Sequence, residues 1–182
     1  INPNCLIIIG GPLITSAPEM LNDFKEVSYG VYGEADLTFA RILEKIKNKE
    51  KLEGVEGVIW REGKEVKFLK PEVIRDLDTI PFPARHLLKM EIYAPSPANY
   101  RRLPATTMMS SRGCPYKCTF CSRPTEGTSF RYHSAKRVVD EIDHLISEYG
   151  IKDIQMFDDT FTMIPKRTED ICSEIINRNL DI

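Results

Sequence analysis

The first third of the chain alternates between short apolar runs and amphipathic stretches. Residues 5–9 form a continuous, largely β-branched run before a Gly-Gly-Pro turn, which predicts a strand buried on both faces. A short helix is expected over residues 18–24, a second strand over 27–31 and a longer helix over 35–48. The apolar positions predicted to form the buried face of the longer helix are Phe39, Ile42, Leu43 and Ile46.

The hydrophobic pattern changes after residue 57. Residues 58–61 and 65–69 flank a Glu-Gly-Lys turn and predict a β-hairpin. Between residues 70 and 105 the chain contains six prolines, which favours an extended connector with at most a short helix over 84–90. We therefore expect a domain boundary in this segment.

The last part of the chain returns to alternating strands and helices. Residues 105–110 and 151–157 predict strands. Between them Ser134 can cap a helix that ends at Gly150, and Pro165 can open a further helix in its first turn. Strand, loop and helix repeated in this order indicate right-handed parallel βα units.

Composition limits the class of protein. Hydrophobic residues make up 42% and charged residues 29% of the 182 residues, as in soluble globular proteins. The formal net charge of −2 gives no general attraction to nucleic acid or acidic lipid. Neither a bilayer-spanning apolar run nor a signal peptide pattern is seen, so we expect a cytoplasmic protein that binds no membrane. Cys5 and Cys172 lie in predicted elements and are expected to be buried thiols.

The other three cysteines are the strongest chemical feature of the sequence. Cys114, Cys118 and Cys121 follow a predicted strand with the spacing C-x3-C-x2-C. Three thiolates so placed can hold three corners of a [4Fe-4S] cluster and leave one iron open to a small ligand. A structural zinc site requires four protein ligands, so His133 would have to complete it. Three cysteines without any metal are the remaining alternative.

The cysteine segment, with Phe120 directly before Cys121, resembles the cluster loop of the radical S-adenosylmethionine (SAM) enzymes. The resemblance implies a [4Fe-4S] cluster on Cys114, Cys118 and Cys121, whose open iron binds the amino and carboxylate groups of SAM. It also implies reductive cleavage of SAM to a 5′-deoxyadenosyl radical, an electron donor such as ferredoxin or flavodoxin, and a small-molecule substrate. Phe120 is expected near the adenine of SAM; packing in the core beneath the loop is the other interpretation.

A second segment, residues 156–162, is similar to the one that lies near the amino group of SAM in these enzymes. The resemblance assigns a SAM-binding role to Asp158 and, with less support, to Asp159. Carboxylates at the carboxyl end of a strand suit an ammonium group. Alternatively, Asp158, Asp159 or Thr162 only caps the next helix. His133, in a further similar segment, is expected to be a structural loop residue.

The first hundred residues look like the last part of the cobalamin-binding domain that precedes the radical domain in one large subgroup of the family. The similarity lies in residues 7–12, 32–39 and 76–85. It implies cobalamin contacts at Gly10, Gly11, Gly33 and Glu34. Glycines after a buried strand let the backbone approach a flat ligand, although a Gly-Gly pair can also be only a turn. The subgroup's Asp-x-His-x-x-Gly motif is missing, and Asp36 stands where glutamate is more usual.

The predicted fold is therefore α/β in three parts. Residues 1–50 are the C-terminal part of a Rossmann-like cobalamin-binding domain, and residues 51–104 are a proline-rich linker with a β-hairpin. Residues 105–182 are the first βα units of a partial (β/α)6 radical SAM barrel. The predicted function is cobalamin-dependent methyl transfer or oxidative cyclisation. Since only two βα units are predicted, we expect a fragment of a longer enzyme that is inactive by itself.

Two other functions remain open at this point. One is a non-catalytic module that binds zinc or an iron–sulfur cluster. The other is a radical SAM enzyme that modifies tRNA, which would use the arginines at positions 101, 102, 112 and 123. Arginines scattered on a solvated face would look the same, so nucleic acid is not expected as a partner.

Overall fold

The computed structural model describes residues 5–93, 95–122 and 127–182, without the side chain of Pro97. Within these ranges the fold is mixed α/β, as the alternation of strand and helix patterns predicts. None of the helices in the described ranges is both long and apolar enough to cross a membrane.

The described residues form two compact units. Unit 1 comprises the described parts of Ile1–Ile74 and Pro115–Thr128, and unit 2 comprises those of Arg75–Cys114 and Ser129–Ile182. The predicted hairpin thus belongs to unit 1, whereas most of the proline-rich segment belongs to unit 2. The two units are defined by how closely residues pack, whereas the predicted domain limits come from the family resemblance. Those limits therefore stay a prediction.

Unit 1 is built on a four-stranded sheet. Its strands, in sheet order, are β1 (Ile8–Ile9), β2 (Tyr29–Val31), β3 (Val58–Glu62) and β4 (Glu65–Phe68). β1 and β2 are parallel and the other pairs are antiparallel. The predicted hairpin is present, with Glu62 opposite Glu65 around Gly63. Because β3 is an inner strand, its Val58 and Ile59 are fully buried.

β1 is shorter and more exposed than the sequence pattern indicates. Only Ile8 and Ile9 form strand, and they lie at the edge of the described sheet. The preceding residues are exposed, and Cys5 is an exposed thiol. The predictions of a doubly buried strand and a buried Cys5 were wrong, because an apolar run does not reveal whether the strand has a neighbour on each side.

The helices of unit 1 are α1 (Pro12–Ser16), a 3-10 helix (Pro18–Asp23) and α2 (Asp36–Lys47). In α2 the buried residues are Thr38 and Ile42, one helical turn apart. The other members of the predicted buried face are 41–52% exposed, namely Phe39, Leu43 and Ile46. The predicted helix is therefore present, but unit 1 buries only one edge of its apolar face.

Gly57, just before β3, allows a close approach that no other residue permits. A Cβ at Gly57 would overlap the side chain of Thr38, whereas Gly54 has the same φ of +82° and open space around it. We expect Gly57→Ala to lower the free energy of unfolding by about 3 kcal/mol and Gly54→Ala by about 1 kcal/mol, since only the first adds a clash to the left-handed strain. Urea unfolding followed by the fluorescence of Trp60 measures both values. Equal losses would contradict the steric explanation.

Unit 2 contains strands β5 (Ala105–Met108), β6 (Ser111–Arg112), β7 (Arg131–Tyr132) and β8 (Asp153–Met156), with helices α3 (Ala135–Tyr149) and α4 (Pro165–Asn177). β5 and β8 are parallel neighbours, with Ala105 opposite Asp153. The core between these strands and the two helices consists of Met108, Val138, Val139, Ile142, Leu145, Ile151 and Ile171. Two successive parallel βα units are thus present, in the predicted order.

The helix ends of unit 2 follow their sequence signals. Ser134 Oγ accepts the backbone N–H of Arg137 at 3.1 Å and caps α3, and Gly150 ends it with φ +63°. Pro165 lies in the first turn of α4, whose N-cap is Ile164 without a side-chain cap bond. The interpretation of Asp158, Asp159 or Thr162 as the cap of α4 was therefore wrong.

Cys172 lies on the outer side of α4 and is exposed, so the prediction of a buried thiol was wrong. The buried residues of α4 are Arg167 and Ile171, spaced by one turn. Position 172 is rotated by about 100° from Ile171, because a helix has 3.6 residues per turn. The apolar residues next to Cys172 in sequence therefore led to the wrong prediction of the side of the helix on which it lies.

The proline-rich segment of unit 2 is docked on α3, although the proline density predicted an extended connector. Leu77 is fully buried, and short 3-10 helices occur at Arg85–Leu87 and Met90–Ile92. Arg137 of α3 donates to the carbonyl of Ile80 at 3.1 Å, and its guanidinium lies 3.8 Å from the ring centroid of Phe82. Prolines prevent regular structure, but they do not prevent side-chain packing.

Candidate functional site

The cysteine loop is tied at its base by the short β6–β7 ladder. Ser111 lies opposite Tyr132, and Arg112 lies opposite Arg131. One further bond extends this pairing, since the N–H of His133 donates to the carbonyl of the residue before β6, Ser110, at 2.9 Å. The two ends of the loop are therefore held side by side, and Cys114 follows the ladder by two residues.

The three cysteines differ in their surroundings. Cys114 is half-buried, and its Sγ lies 3.8 Å from Thr160 Oγ1. Cys118 and Cys121 are exposed and belong to one turn, in which the N–H of Cys121 donates to the carbonyl of Cys118 at 3.1 Å. A turn of this kind places its first and last residues close together.

No complete ligand set is gathered in the described part of the chain, where no three His, Cys, Asp or Glu side chains are arranged to hold a metal ion. His133, the proposed fourth zinc ligand, is buried, and its Nδ1 lies 3.3 Å from Asp78 Oδ1. The chemistry of the three thiols fits an iron–sulfur cluster, whose irons take thiolate ligands. Their assignment as ligands stays a prediction.

Phe120 is 91% exposed at the tip of the same loop. Packing in a core beneath the loop is therefore excluded for this ring. An exposed aromatic ring can stack on a flat heterocycle, as the predicted contact with adenine requires. That contact itself stays a prediction.

Asp158 follows β8 and is surrounded by donors from the segment between β5 and β6. Its Oδ1 accepts the N–H of Ser110 at 2.7 Å and both the N–H and the hydroxyl of Ser111, at 2.5 and 2.8 Å. Its Oδ2 accepts the hydroxyl of Ser110 at 2.7 Å. Asp159 is exposed. The assignment of the two carboxylates to SAM stays a prediction, and sequence reasoning missed both serines.

Arg167, on the buried side of α4, reaches the same segment. Its Nε donates to the carbonyl of His133 at 2.8 Å, and its Nη2 donates to the carbonyl and hydroxyl of Ser110 at 2.9 and 2.7 Å. Burial lowers the pKa of Arg167, and the charge of Asp158 opposes this shift. The sequence carried a signal for this residue, because Arg167 lies one helical turn before the apolar Ile171.

His133 has the structural role that was expected of it. Burial and the charge of Arg137 lower the pKa of His133, while Asp78 acts in the opposite direction. Burial acts to raise the pKa of Asp78, but hydrogen bonds from Ser134 and His133 together lower it. The pair thus joins the docked proline-rich segment to the start of α3.

A cavity of about 340 Å³ lies beside the loop base in unit 2. Its lining includes Arg85, Arg112, Arg137, Glu141 and Phe157. Arg85 and Arg137 are both paired with Glu141 in this lining, at 2.7 and 3.1 Å.

The predicted cobalamin residues lie at the ends of β1 and β2 in unit 1. Gly11, the N-cap of α1, has φ +98°, and Gly33 is buried with φ +69°. The hydroxyl of Thr15 donates to the carbonyl of Gly11 at 2.9 Å and accepts the N–H of Gly33 at 3.0 Å. Gly10 and the half-buried Glu34 are the respective chain neighbours of these glycines. The link that Thr15 makes between Gly11 and Gly33 was not predicted from the sequence, although a threonine in a short helix often bonds the carbonyl one turn earlier.

The arginines considered for RNA binding offer little support for that function. Arg102 is paired with Asp181 at 2.8 Å, and Arg112 is a half-buried residue of β6. The backbone N–H of Arg101 donates to Asp153. Arg123 lies outside the described residues.

Comparison with known proteins agrees with the radical SAM resemblance. Residues 108–182 match the family model of the radical SAM superfamily. The whole chain is 37% identical to an uncharacterized methyltransferase, PH0819, of Pyrococcus horikoshii, of which it covers 39%. Over 99% of its length it is 25% identical to the anaerobic magnesium-protoporphyrin IX monomethyl ester cyclase of Synechocystis sp., of which it covers 36%.

A solved structure extends the similarity to the fold. The cobalamin-dependent SAM radical enzyme OxsB, with aqua-cobalamin and SAM bound, aligns with 95% of this chain at a TM-score of 0.74 and 27% identity. The chain covers 24% of OxsB. It therefore spans about two fifths or less of the length of each of these proteins.

Proposed function

The chain belongs to the radical SAM superfamily, and from this membership we propose that it is part of an enzyme for cobalamin-dependent methyl transfer or oxidative cyclisation. The observation that carries the proposal is the C-x3-C-x2-C loop, fixed at its base by β6 and β7. One similar protein is named a methyltransferase, another a cyclase, and OxsB binds both cobalamin and SAM. A small-molecule substrate and an external reductant belong to the same proposal.

Cys114, Cys118 and Cys121 are the proposed ligands of three irons of a [4Fe-4S] cluster. When bound, this cluster supplies the electron that cleaves SAM. The protein's contribution is to present three thiolates from a loop whose two ends are fixed. Because two of the thiols are exposed, they are accessible for metal–sulfur bonds, and cluster binding is expected to stabilise the folded chain.

The proposed SAM-binding residues are Phe120 of the cysteine loop and the carboxylates that follow β8. The exposed ring of Phe120 would stack on the adenine. Of the two acidic residues after β8, the exposed Asp159 is better suited to meet the ammonium group, because the oxygens of Asp158 already accept four hydrogen bonds.

Cobalamin is proposed to contact the glycine turns of unit 1. The residues concerned are Gly10, Gly11, Gly33 and Glu34. In support, the turns at Gly11 and Gly33 are joined by Thr15 at the ends of two parallel strands. Ligands of α/β sheets bind at this end of the strands. Thr15 would hold the two turns at a fixed separation for the ligand.

Anaerobic reconstitution of the 182-residue chain with iron and sulfide tests the proposal. We expect an oxygen-labile cluster whose reduced form changes its electron paramagnetic resonance spectrum when SAM is added, because one iron keeps an open coordination site. 5′-Methylthioadenosine, which lacks the amino and carboxylate groups proposed to bind the iron, is the control ligand and should leave the spectrum unchanged. A spectrum that SAM leaves unchanged, or zinc as the tightly bound metal, would contradict the proposed function.

A further inference from the structure

The segment that leads into the cysteine loop is held from two sides by opposite charges. Ser110 is fully buried, and its hydroxyl donates to Asp158 Oδ2 and accepts from Arg167 Nη2, each at 2.7 Å. The backbone of the same residue is engaged as well, since its N–H donates to Asp158 and its carbonyl accepts from Arg167. Ser110 thus links the acidic and the basic side chain directly.

Arg167 also connects the two ends of the loop. It donates to the carbonyl of Ser110 before the loop and to the carbonyl of His133 after it. The buried guanidinium therefore fixes the entry and the exit of the loop to one point on α4. Charge-assisted hydrogen bonds of this kind are about twice as strong as neutral ones, and burial strengthens them further.

We propose that Asp158 and Arg167 are positioning residues that fix Ser110 and Ser111 and thereby set the place from which Cys114 presents its thiolate. The inference rests on the proposed function, because the position of Cys114 matters to a cluster only if Cys114 binds one. It gives Asp158 a role other than the contact with the SAM amino group that the family resemblance implies.

The hydrogen-bond capacity of the carboxylate supports this role. A carboxylate offers about four acceptor positions, and Asp158 accepts four hydrogen bonds from Ser110 and Ser111. An ammonium group would have to displace one of these donors. Such a displacement would leave a buried N–H or hydroxyl without its partner, which is unfavourable.

Amide hydrogen exchange of the cluster-free chain tests the positioning role without any cofactor. We expect Asp158→Asn and Arg167→Gln to raise the exchange rates at Ser110 and Ser111 by about tenfold or more, because each removes charged hydrogen bonds from this segment. Lys166→Gln and Asp170→Asn, which alter an exposed ion pair on the same helix, are the matched controls and should leave these rates unchanged. If either main variant fails to fold, Ser111→Ala removes a single hydroxyl donor and should give a smaller increase at the same amides.

Electron paramagnetic resonance of the reconstituted chain separates positioning from SAM binding. For positioning residues, Asp158→Asn and Arg167→Gln alter the iron content or the spectrum of the reduced cluster before SAM is added. For a SAM ligand, Asp158→Asn leaves both unchanged and loses only the response to SAM. That second result, together with wild-type exchange rates at Ser110 and Ser111, would overturn the inference. If the wild-type chain binds no cluster, the proposed function fails, and the exchange rates alone decide whether the positioning contacts operate.

Discussion

Cys118→Ala will leave the chain unable to retain an iron–sulfur cluster, because two remaining thiolates cannot hold three corners of a cubane. We expect iron and sulfide per chain to fall at least about tenfold after anaerobic reconstitution and desalting, in line with the loss of one metal–thiolate bond from a site assembled by binding. Metal and sulfide analysis, with the visible absorbance of the cluster, measures the effect.

Cys172→Ala is the matched control for this change. Cys172 and Cys118 are both exposed cysteines, but Cys172 lies on α4 outside the loop. It should retain the iron and sulfide of the wild-type chain. A Cys118→Ala variant with a full complement of iron would contradict the ligand assignment, and an equal loss in both variants would show that any exposed thiol contributes to non-specific iron binding.

Local signals in the sequence were sufficient for some parts of the fold. The ends of α3 follow from Ser134 and Gly150, because capping depends on a few neighbouring backbone groups. The hairpin around Gly63 and the first turn of α4 at Pro165 depend on similarly local rules. The spacing of the cysteines is a local signal of the same kind. It was the main basis of the family resemblance, which the comparison with known proteins confirms.

The errors concern properties that depend on distant parts of the chain. Whether β1 has one or two neighbours, and which side of α2 is covered, is decided by packing across the sheet and not by periodicity. The roles of Ser110 and Arg167 likewise depend on residues far away in sequence, since their hydrogen bond spans 57 positions. The sequence did indicate that Arg167 occupies a position which the helical period predicts to be buried. A buried arginine needs a partner, and the sequence does not reveal which residue that is.

The docked proline-rich segment shows the same dependence on distant residues. Arg85 from this segment and Arg137 of α3 both contact Glu141, at 2.7 and 3.1 Å. The side chains are 10%, 13% and 5% exposed, respectively, so the three charges lie away from water. Each guanidinium depends on the same carboxylate for charge compensation. Glu141 therefore adds to the contacts of Arg137 and Asp78 that hold the segment on α3.

Glu141→Ala is accordingly expected to lower the free energy of unfolding of the chain by about 3–5 kcal/mol, because it leaves two buried guanidinium groups without their counter-charge. Glu148→Ala, at an exposed position of α3, is the control and should change it by less than about 0.5 kcal/mol. Urea unfolding followed by far-ultraviolet circular dichroism measures both values. A loss below about 1 kcal/mol for Glu141→Ala would mean that water solvates the arginines readily and that other contacts hold the segment.

The triple variant Arg85→Met, Arg137→Leu, Glu141→Met tests why Glu141→Ala loses stability. The loss can come from a favourable ion network or only from leaving charges buried without a partner. Buried ion groups replaced together by apolar side chains of similar size often leave stability unchanged or raise it by about 1–4 kcal/mol. We expect this variant to recover most of the stability that Glu141→Ala loses, since no charge then remains buried without a partner. Limited proteolysis gives an independent readout: cleavage near the exposed Leu87 and Leu88 should be fast in Glu141→Ala and slow in the triple variant. Fast cleavage in both would show that the charges themselves, and not apolar packing, hold the segment on α3.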